Sequence, residues 1–284
     1  MAAARRLERA SGLRVRDYRR IGGEHGVLHY RGLLDDGSEI FVKSAADEAA
    51  EAPLAAEACG LRWLGEAGTV AVPAIVFAGK GQLAVRWLPP EVPGRAAAER
   101  FGRDLARLHV TGAARFGARW SGYIASLPLP NDEAGSWPEW YARCRILPYC
   151  RLARDAGTLR AADVAVIEAV AARIGEIAGP DEPPSRIHGD LWSGNVHWSG
   201  GRGWLIDPAA HGGHRETDLA MLALFGAPHL GRILDAYQEA APLARGWQAR
   251  VPLHQLHPLL VHVCLFGASY RQSALAAARA VLDL

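Results

Sequence analysis

The sequence predicts an α+β fold in two lobes: a small antiparallel sheet with one helix, followed by a large, mainly helical lobe. Three observations support this prediction. Short strand patterns separated by glycine-containing turns fill the first part of the chain, helical spacing dominates the rest, and Pro89-Pro90 stands between the two regions. We therefore expect an amino-terminal domain over residues 1–90 and a carboxy-terminal domain over residues 91–284.

The composition is that of a globular protein. The chain has 284 residues, of which 50% are hydrophobic and 22% charged, and this allows a large core. A formal net charge of +2 argues against a dedicated nucleic-acid binder. The opening residues lack the apolar run of a secretory signal, and no stretch of about 18 uncharged apolar residues indicates a membrane span. The four cysteines show no CxxC pairing, so we expect reduced thiols in a cytoplasmic protein, which we take to be a monomer.

The first elements are a helix and two hairpins. Residues 1–17 are predicted as a short helix, with a frayed terminus as the alternative. A strand pair follows over 20–30, interrupted by Gly22-Gly23, where the absence of side chains permits close approach of the backbone to a ligand. Many structural hairpins contain such glycines as well. Asp35-Asp36-Gly37 predicts a turn, and the strand over 39–43 ends at a lysine.

A charged pair is predicted between that strand and the next helix. Pro53 can open the helix, and its apolar residues form one stripe at helical spacing. Glu57 lies on this stripe, where an unpaired buried carboxylate is costly, so Lys43 is its expected partner. In the alternative, Lys43 is a surface lysine and Glu57 lies at a solvated edge. Strands over 73–77 and 82–88 complete the sheet.

Helices are predicted for most of the second lobe. The expected helical segments cover 94–109, 137–153, 164–177, 229–240 and 252–283, and another begins at Glu216 and Asp218, where negative charge suits the helix dipole. A long loop over 116–137 interrupts them. We interpret the histidines at 211, 214, 254, 257 and 262 as packing or hydrogen-bonding residues, not metal ligands.

The stretch His188-Gly189-Asp190-Leu191-Trp192-Ser193-Gly194-Asn195 carries the predicted chemistry. Asp190 and Asn195 have the separation of the kinase pattern in which an aspartate accepts the proton of a hydroxyl group and an asparagine holds magnesium. A hairpin over 196–207 would bring Asp207 to the same metal, because Mg²⁺ prefers hard oxygen ligands. The motif therefore predicts a phosphoryl-transfer enzyme with a protein-kinase-like fold.

The other kinase parts can be assigned from this motif. Lys43 would bind the phosphates of ATP and Glu57 would hold it in place, with Gly22 and Gly23 over the nucleotide. Arg86, Trp87 and Leu88 would form the segment between the lobes, whose backbone binds adenine. Since backbone atoms make those contacts, a purely structural sheet would read in the same way.

The chain resembles the fructosamine kinase (ketosamine 3-kinase) family, within the wider aminoglycoside-phosphotransferase-like group. The resemblance rests on HGDLWSGN with LIDPA, on GHRETDLAMLALFG, on YIASLPLPN and WPEWYARCRILP, and on PLHQLHPLLVHVCLFG. It implies ATP- and Mg²⁺-dependent phosphorylation of the 3-hydroxyl of ketoamines on amines or protein lysines, in protein deglycation. Asp190 then resembles the catalytic base, Asn195 and Asp207 the magnesium ligands, and Trp192 a residue facing the sugar.

The sequence departs from the family in two places. The glycine-rich turn reads Gly22-Gly23-Glu24-His25-Gly26 and lacks the cysteine that links dimers in some relatives, so we expect no redox switching. Two aromatic residues before Arg215-Glu216 are absent, which could change substrate preference. Two alternatives stay open: a small-molecule kinase of the aminoglycoside or choline type, and a nucleotide-binding pseudokinase.

Overall fold

Five antiparallel strands form the sheet in the first part of the chain. The computed structural model describes residues 2–283. Within the sheet the strands follow the order β1-β2-β3-β5-β4. Their bounds are β1 Val15–Glu24, β2 Val27–Leu34, β3 Glu39–Ala45, β4 Ile75–Gly79 and β5 Gln82–Arg86. The strand predicted over 82–88 is too long: β5 ends at Arg86, so Trp87 and Leu88 lie outside the sheet.

Alternation along β3 decides what each side chain contacts. Ile40 and Val42 are fully buried on one face, with Leu7 of the first helix. The next residues alternate to the other face, where Ala45 packs with Leu54 and its neighbours in the second helix. The period of two therefore places Lys43 on the same face as Ala45, which is the face that the second helix covers.

Two helices flank this sheet, α1 (Ala2–Ser11) and α2 (Glu51–Glu66). The predicted helix over 1–17 is too long. Within the described residues it ends at Ser11, because the next residue, Gly12, has a φ of 75°, a left-handed conformation that terminates helices. Strand β1 then begins at Val15. Met1 lies outside the described residues.

The rest of the chain is mainly helical. The helices are α3 Arg95–Thr111, α4 Trp137–Tyr141, α5 Leu147–Asp155, α6 Ala161–Ile177, α7 Arg215–Phe225, α8 Leu230–Ala240, α9 Trp247–Phe266 and α10 Arg271–Leu282. A π-helical turn over Ala142–Ile146 joins α4 to α5. A 3₁₀ turn over Gly267–Tyr270 interrupts the helix predicted for 252–283. The α+β, two-lobed fold predicted from the sequence is confirmed.

Three short strand pairs connect these helices. They are β6 (Gly122–Ile124) with β7 (Leu127–Leu129), β8 (Ser185–Ile187) with β11 (His211–Gly213), and β9 (Val196–Ser199) with β10 (Arg202–Leu205). Only the last pair was predicted, because strands of three residues are too short to show alternation.

The carboxy-terminal helices supply much of the core. The span Trp247–Leu282 is long and apolar enough to cross a membrane by length and composition, and half of its most apolar window is buried inside the protein. Leu253, Leu256 and Leu260 of α9 are fully buried in the largest hydrophobic cluster. Burial against the other helices thus accounts for the apolar character of this span.

Candidate active site

Lys43 joins three distant parts of the chain. Its Nζ donates to Oε2 of Glu57 on α2 at 2.9 Å and to Oδ1 of Asp207, which follows β10, at 2.6 Å. The predicted Lys43–Glu57 contact is therefore present, and the interpretation of Lys43 as a surface residue is wrong, since it is only 8% exposed.

The charges in this triad do not balance. Burial would lower the pKa of Lys43, but the two carboxylates raise it above its usual value. Burial raises the pKa of Glu57, whereas Lys43 holds the pKa of Asp207 below its usual range in spite of burial. When both carboxylates are ionised, one cation faces two of them, and the site then favours a further positive charge.

Asp190 and Asn195 are in direct contact. Nδ2 of Asn195 donates to Oδ2 of Asp190 at 3.0 Å and to its carbonyl oxygen at 2.8 Å. Burial raises the pKa of Asp190 to about 7; the hydrogen bond from Asn195 opposes this rise and the carboxylates of Asp207 and Asp218 add to it. Since the amide nitrogen of Asn195 is committed, its Oδ1 is the atom left to bind a cation.

Asp218 on α7 holds the loop before Asp190. Its carboxylate accepts from the backbone N–H of His188 at 2.7 Å and of Gly189 at 2.9 Å, and it lies 3.1 Å from Nε2 of His109 on α3. The ring of His188 donates in turn to the carbonyl oxygen of Ile206 at 2.8 Å. One network therefore positions both Asp190 and Asp207.

The sequence did not reveal the role of Asp218. Its place in the first turn of α7 matches the predicted dipole interaction, but the side chain is fully buried and hydrogen-bonded across the fold. Nothing in the sequence indicated that His109, at the end of a predicted helix, contacts Asp218. Contacts between residues more than a hundred positions apart have no local pattern that could have indicated them.

The predicted donors fit a magnesium ion chemically. Asn195 and Asp207 offer oxygen ligands of the hard type that Mg²⁺ prefers, beside the unbalanced charge of the Lys43 triad. Asp207 has a φ of 54°, a left-handed conformation that is uncommon for residues other than glycine and recurs at functional sites.

A cavity of about 240 Å³ lies between the sheet and the β9–β10 hairpin. It reaches from Lys43 to the segment Arg86-Trp87-Leu88 predicted to bind adenine. Its apolar lining suits a planar base; it includes Ile21, Phe41, Leu83, Val85 and Ile206. Gly22 and Gly23 lie on β1 between Ile21 of this cavity and Glu24 of the next. A Cβ on Gly23 would lie 2.7 Å from the carbonyl oxygen of Val27, so the backbone there requires glycine.

A second cavity of about 580 Å³ is lined by Asp190, Asn195 and Asp207, among other residues. Trp192 lines it and is 40% exposed. The indole lies against the backbone of Gly194, where any Cβ would overlap the ring. The glycine of the WSGN segment thus allows Trp192 to fold back over its own loop. Phe225 and Met221, which the sequence analysis did not select, line the same cavity.

A separate buried cluster contains His214, Glu216 and His254, whose ligand atoms all lie within 4.8 Å of one another. Both carboxylate oxygens of Glu216 accept from Arg250, at 2.5 and 3.0 Å. Nδ1 of His254 pairs with the hydroxyl of Thr217 at 3.0 Å. The cation of Arg250 already neutralises the carboxylate, which agrees with the interpretation of these histidines as hydrogen-bonding residues.

Comparison with known sequences gives a consistent result. The family profile described as "Fructosamine kinase" matches residues 3–283. A protein of Klebsiella aerogenes named "Probable ketoamine kinase" is 34% identical over 261 residues, which cover 89% of this chain and 88% of that protein.

Solved structures give the same picture for the fold. The structure described as a "putative fructosamine-3-kinase" from Thermobifida fusca is 50% identical, with a TM-score of 0.96, and the match covers 100% of this chain and 99% of that one. A macrolide 2′-phosphotransferase of Brachybacterium faecium has a TM-score of 0.65 at 16% identity, covering 97% and 96%, and shows the fold alone.

Proposed function

This chain belongs to the fructosamine kinase family, and on that premise we propose that it transfers the γ-phosphate of ATP to the 3-hydroxyl of a ketoamine, a ketose sugar joined to an amine. The family's members are phosphotransferases that act on hydroxyl groups, and the kinase-like fold implies use of ATP. The observation that carries the proposal is the grouping of Lys43, Asp190, Asn195 and Asp207 around one cavity.

In the proposed mechanism Asp190 acts on the acceptor. Its carboxylate orients the 3-hydroxyl and takes its proton while the hydroxyl oxygen forms a bond to the γ-phosphorus. The bond between that phosphorus and the bridging oxygen breaks, and ADP leaves with the electron pair. A carboxylate whose pKa is near 7 suits this role, because it can accept a proton at neutral pH.

Lys43 and Glu57 act on the nucleotide. The ammonium group of Lys43 would bind phosphate oxygens, and Glu57, from a different element, keeps it directed into the site. Arg86, Trp87 and Leu88 would hold the adenine through backbone atoms, and Gly22 and Gly23 would let β1 pass close to the phosphates. Asn195 and Asp207 would hold magnesium, which when bound neutralises the charge of the phosphates.

The proposed physiological role is protein deglycation, in a cytoplasmic monomer. Phosphorylation at the 3-position destabilises the bond between sugar and amine, so the amine would be released. The free thiols of Cys59, Cys144, Cys150 and Cys264 are consistent with a reducing compartment.

A substrate panel tests the proposal. Purified protein with ATP and Mg²⁺ is given erythrulosamine, ribulosamine and fructosamine adducts of lysine, and ADP release is measured with and without a chelator. We expect transfer to at least one adduct and loss of transfer on chelation. Transfer only to aminoglycosides or choline would instead support a small-molecule kinase, and ATP binding without any transfer would support a pseudokinase.

A further inference from the structure

The backbone N–H groups between the two domains are almost all committed. Pro89-Pro90 contributes none. Three others donate to backbone carbonyl oxygens elsewhere in the fold, at 2.8 to 2.9 Å: those of Arg86, Trp87 and Glu91. Within residues 86–91 of the described chain, only the N–H of Leu88 has no hydrogen-bond partner. Since Leu88 lines the cavity of about 240 Å³, a ligand that fills this cavity must supply an acceptor or leave the N–H unsatisfied.

Leu88 presents its N–H and its carbonyl oxygen along one edge. Pro89 restricts Leu88 to extended backbone, in which both groups of a residue point one way and those of the preceding residue point the other way. The N–H of Trp87 points to Glu39 on β3, so the groups of Leu88 point away from β3. They point towards the β9–β10 hairpin, because the carbonyl oxygen of Leu88 lies 2.9 Å from Nε2 of His197 on β9. The cavity lies on this side of the segment.

His197 occupies that carbonyl oxygen. A carbonyl can only accept, so Nε2 of His197 carries a proton and donates it. The ring of His197 also lines the cavity. A second donor would have to share the oxygen with this ring. Leu88 therefore offers a ligand a free donor without an equally free acceptor beside it.

Adenine and guanine differ at the atom that would face such a donor. N1 of adenine is an acceptor and matches the N–H of Leu88. N1 of guanine carries a hydrogen, so guanine in the same position would bring two donors together. Guanine could shift until its O6 accepts from Leu88, but its N1–H would then lie opposite the carbonyl oxygen that His197 occupies. A buried N–H without an acceptor is costly, so this arrangement disfavours guanine.

We propose, resting on the nucleotide site of the kinase proposed above, that His197 selects the base of the nucleotide. By donating to the carbonyl oxygen of Leu88, it leaves the N–H of Leu88 as the group that distinguishes adenine from guanine. His197 is a positioning residue in this assignment, because it acts through Leu88.

The ratio of kcat/KM for ATP to that for GTP tests this role, with one ketoamine as the acceptor. We expect a ratio of at least about 100 for the wild type. His197→Phe keeps a ring and removes the donor, so it should lower the ratio by about tenfold or more through better use of GTP. His197→Gln retains an N–H donor and should restore most of the ratio. A role in folding alone would lower the use of both nucleotides together and leave the ratio unchanged.

A second histidine provides the matched control. Nε2 of His229 also contacts a backbone carbonyl oxygen, that of Pro93 at 3.1 Å, but His229 is not among the residues that line the two cavities. His229→Phe should therefore keep the wild-type ratio.

Two nucleotide analogues test the N–H of Leu88, which no side-chain substitution removes. In 1-deaza-ATP a C–H group replaces N1, and in 7-deaza-ATP the same change is made at N7, for which we assign no partner. We expect kcat/KM to be lower by about tenfold or more for 1-deaza-ATP than for 7-deaza-ATP, because only the former leaves the N–H of Leu88 without an acceptor.

Melting-temperature shifts with each nucleotide alone separate this proposal from the kinase function. A larger shift with ATP than with GTP in the wild type, and more nearly equal shifts in His197→Phe, would support base selection. Absence of transfer to every ketoamine beside such shifts would overturn the kinase proposal only. An unchanged ratio in His197→Phe, or equal use of the two deaza analogues, would overturn base selection alone. No shift with any nucleotide would overturn both.

Discussion

Lys43 is the residue on which the candidate site depends most. It lies on the face of β3 that α2 covers. It contacts the carboxylate of Glu57 on α2 and that of Asp207 in the segment after β10. Removing it would leave the largely buried carboxylate of Glu57 and the partly exposed carboxylate of Asp207 without a cation, which is costly to the fold as well as to phosphate binding.

Replacement of Lys43 by alanine should therefore impair nucleotide use. We expect Lys43→Ala to lower kcat/KM for ATP by about 100-fold or more, because an electrostatic contact to the phosphates is lost. Lys80→Ala, in the exposed turn between β4 and β5, is the matched control and should behave as wild type. Steady-state kinetics at varied ATP concentration measure the difference. Similar kinetics for both variants would exclude Lys43 from the site.

Gly194 offers a second test at this scale. A methyl group there would overlap the indole of Trp192. We expect Gly194→Ala to displace Trp192 and to raise the KM for the ketoamine about tenfold, with little change in the KM for ATP. Gly175→Ala, at a helical position of α6 with open space around it, is the control and should be neutral or slightly stabilising. An unchanged KM for the ketoamine in Gly194→Ala would contradict the placement of Trp192 beside the acceptor.

At the scale of elements, α7 connects the core to the catalytic loop. Asp218 binds the loop through two backbone N–H groups, and Glu216 binds Arg250 of α9. Burial would raise the pKa of Glu216, but its contacts with the ring of His254 and the guanidinium of Arg250 lower it to about 2. Since this pKa lies below that of an unfolded glutamate, the pair contributes stability above about pH 4.5 that is lost as the pH falls towards 2.

Glu216→Gln should accordingly destabilise the protein at neutral pH. We expect a loss of about 3–5 kcal/mol at pH 7, because the charge of Arg250 is left buried without its partner, and a smaller difference from wild type near pH 3. Denaturant unfolding at the two pH values measures this. Glu176→Gln, at an exposed pair with Arg173, should change stability by less than about 0.5 kcal/mol. A loss in Glu216→Gln that is equal at both pH values would contradict the linkage.

How far the sequence predicts each element depends on the length of its pattern. The helix carrying Glu57 and the hairpin ending at Asp207 were predicted because several residues repeat the same spacing. The pairing of β8 with β11 was not, since it joins three residues to three others across the catalytic loop. The contacts of Asp218 likewise depend on how helices pack, which no local spacing records.

At the scale of the whole molecule, the segment Leu88–Glu91 links the two regions and contacts β9. His197 donates through Nε2 to the carbonyl oxygen of Leu88 at 2.9 Å. The backbone N–H of Glu91 donates to the carbonyl oxygen of Trp198 at 2.8 Å. We propose that the domains divide here, at residues 1–90 and 91–284. A nucleotide bound beside this segment would contact both domains and hold them together.

ATP should therefore raise the melting temperature. At about 100 times its Kd a ligand adds about 2.7 kcal/mol to the stability of the folded state. We expect ATP with Mg²⁺ to shift the melting temperature of wild type and of Asp190→Asn by several degrees and that of Lys43→Ala far less. Differential scanning fluorimetry measures the shifts. Equal shifts in all three would show that ATP binds elsewhere.

The most direct test of the central claim is the product formed by wild type and by Asp190→Asn from the same ketoamine. We expect ³¹P and ¹H NMR to show phosphate on the 3-hydroxyl with the wild-type protein. The variant should be slower by about 100- to 10,000-fold while its KM for ATP changes little, because only the acceptor of the proton is lost. Phosphate on another hydroxyl, or near-normal turnover by Asp190→Asn, would contradict the account.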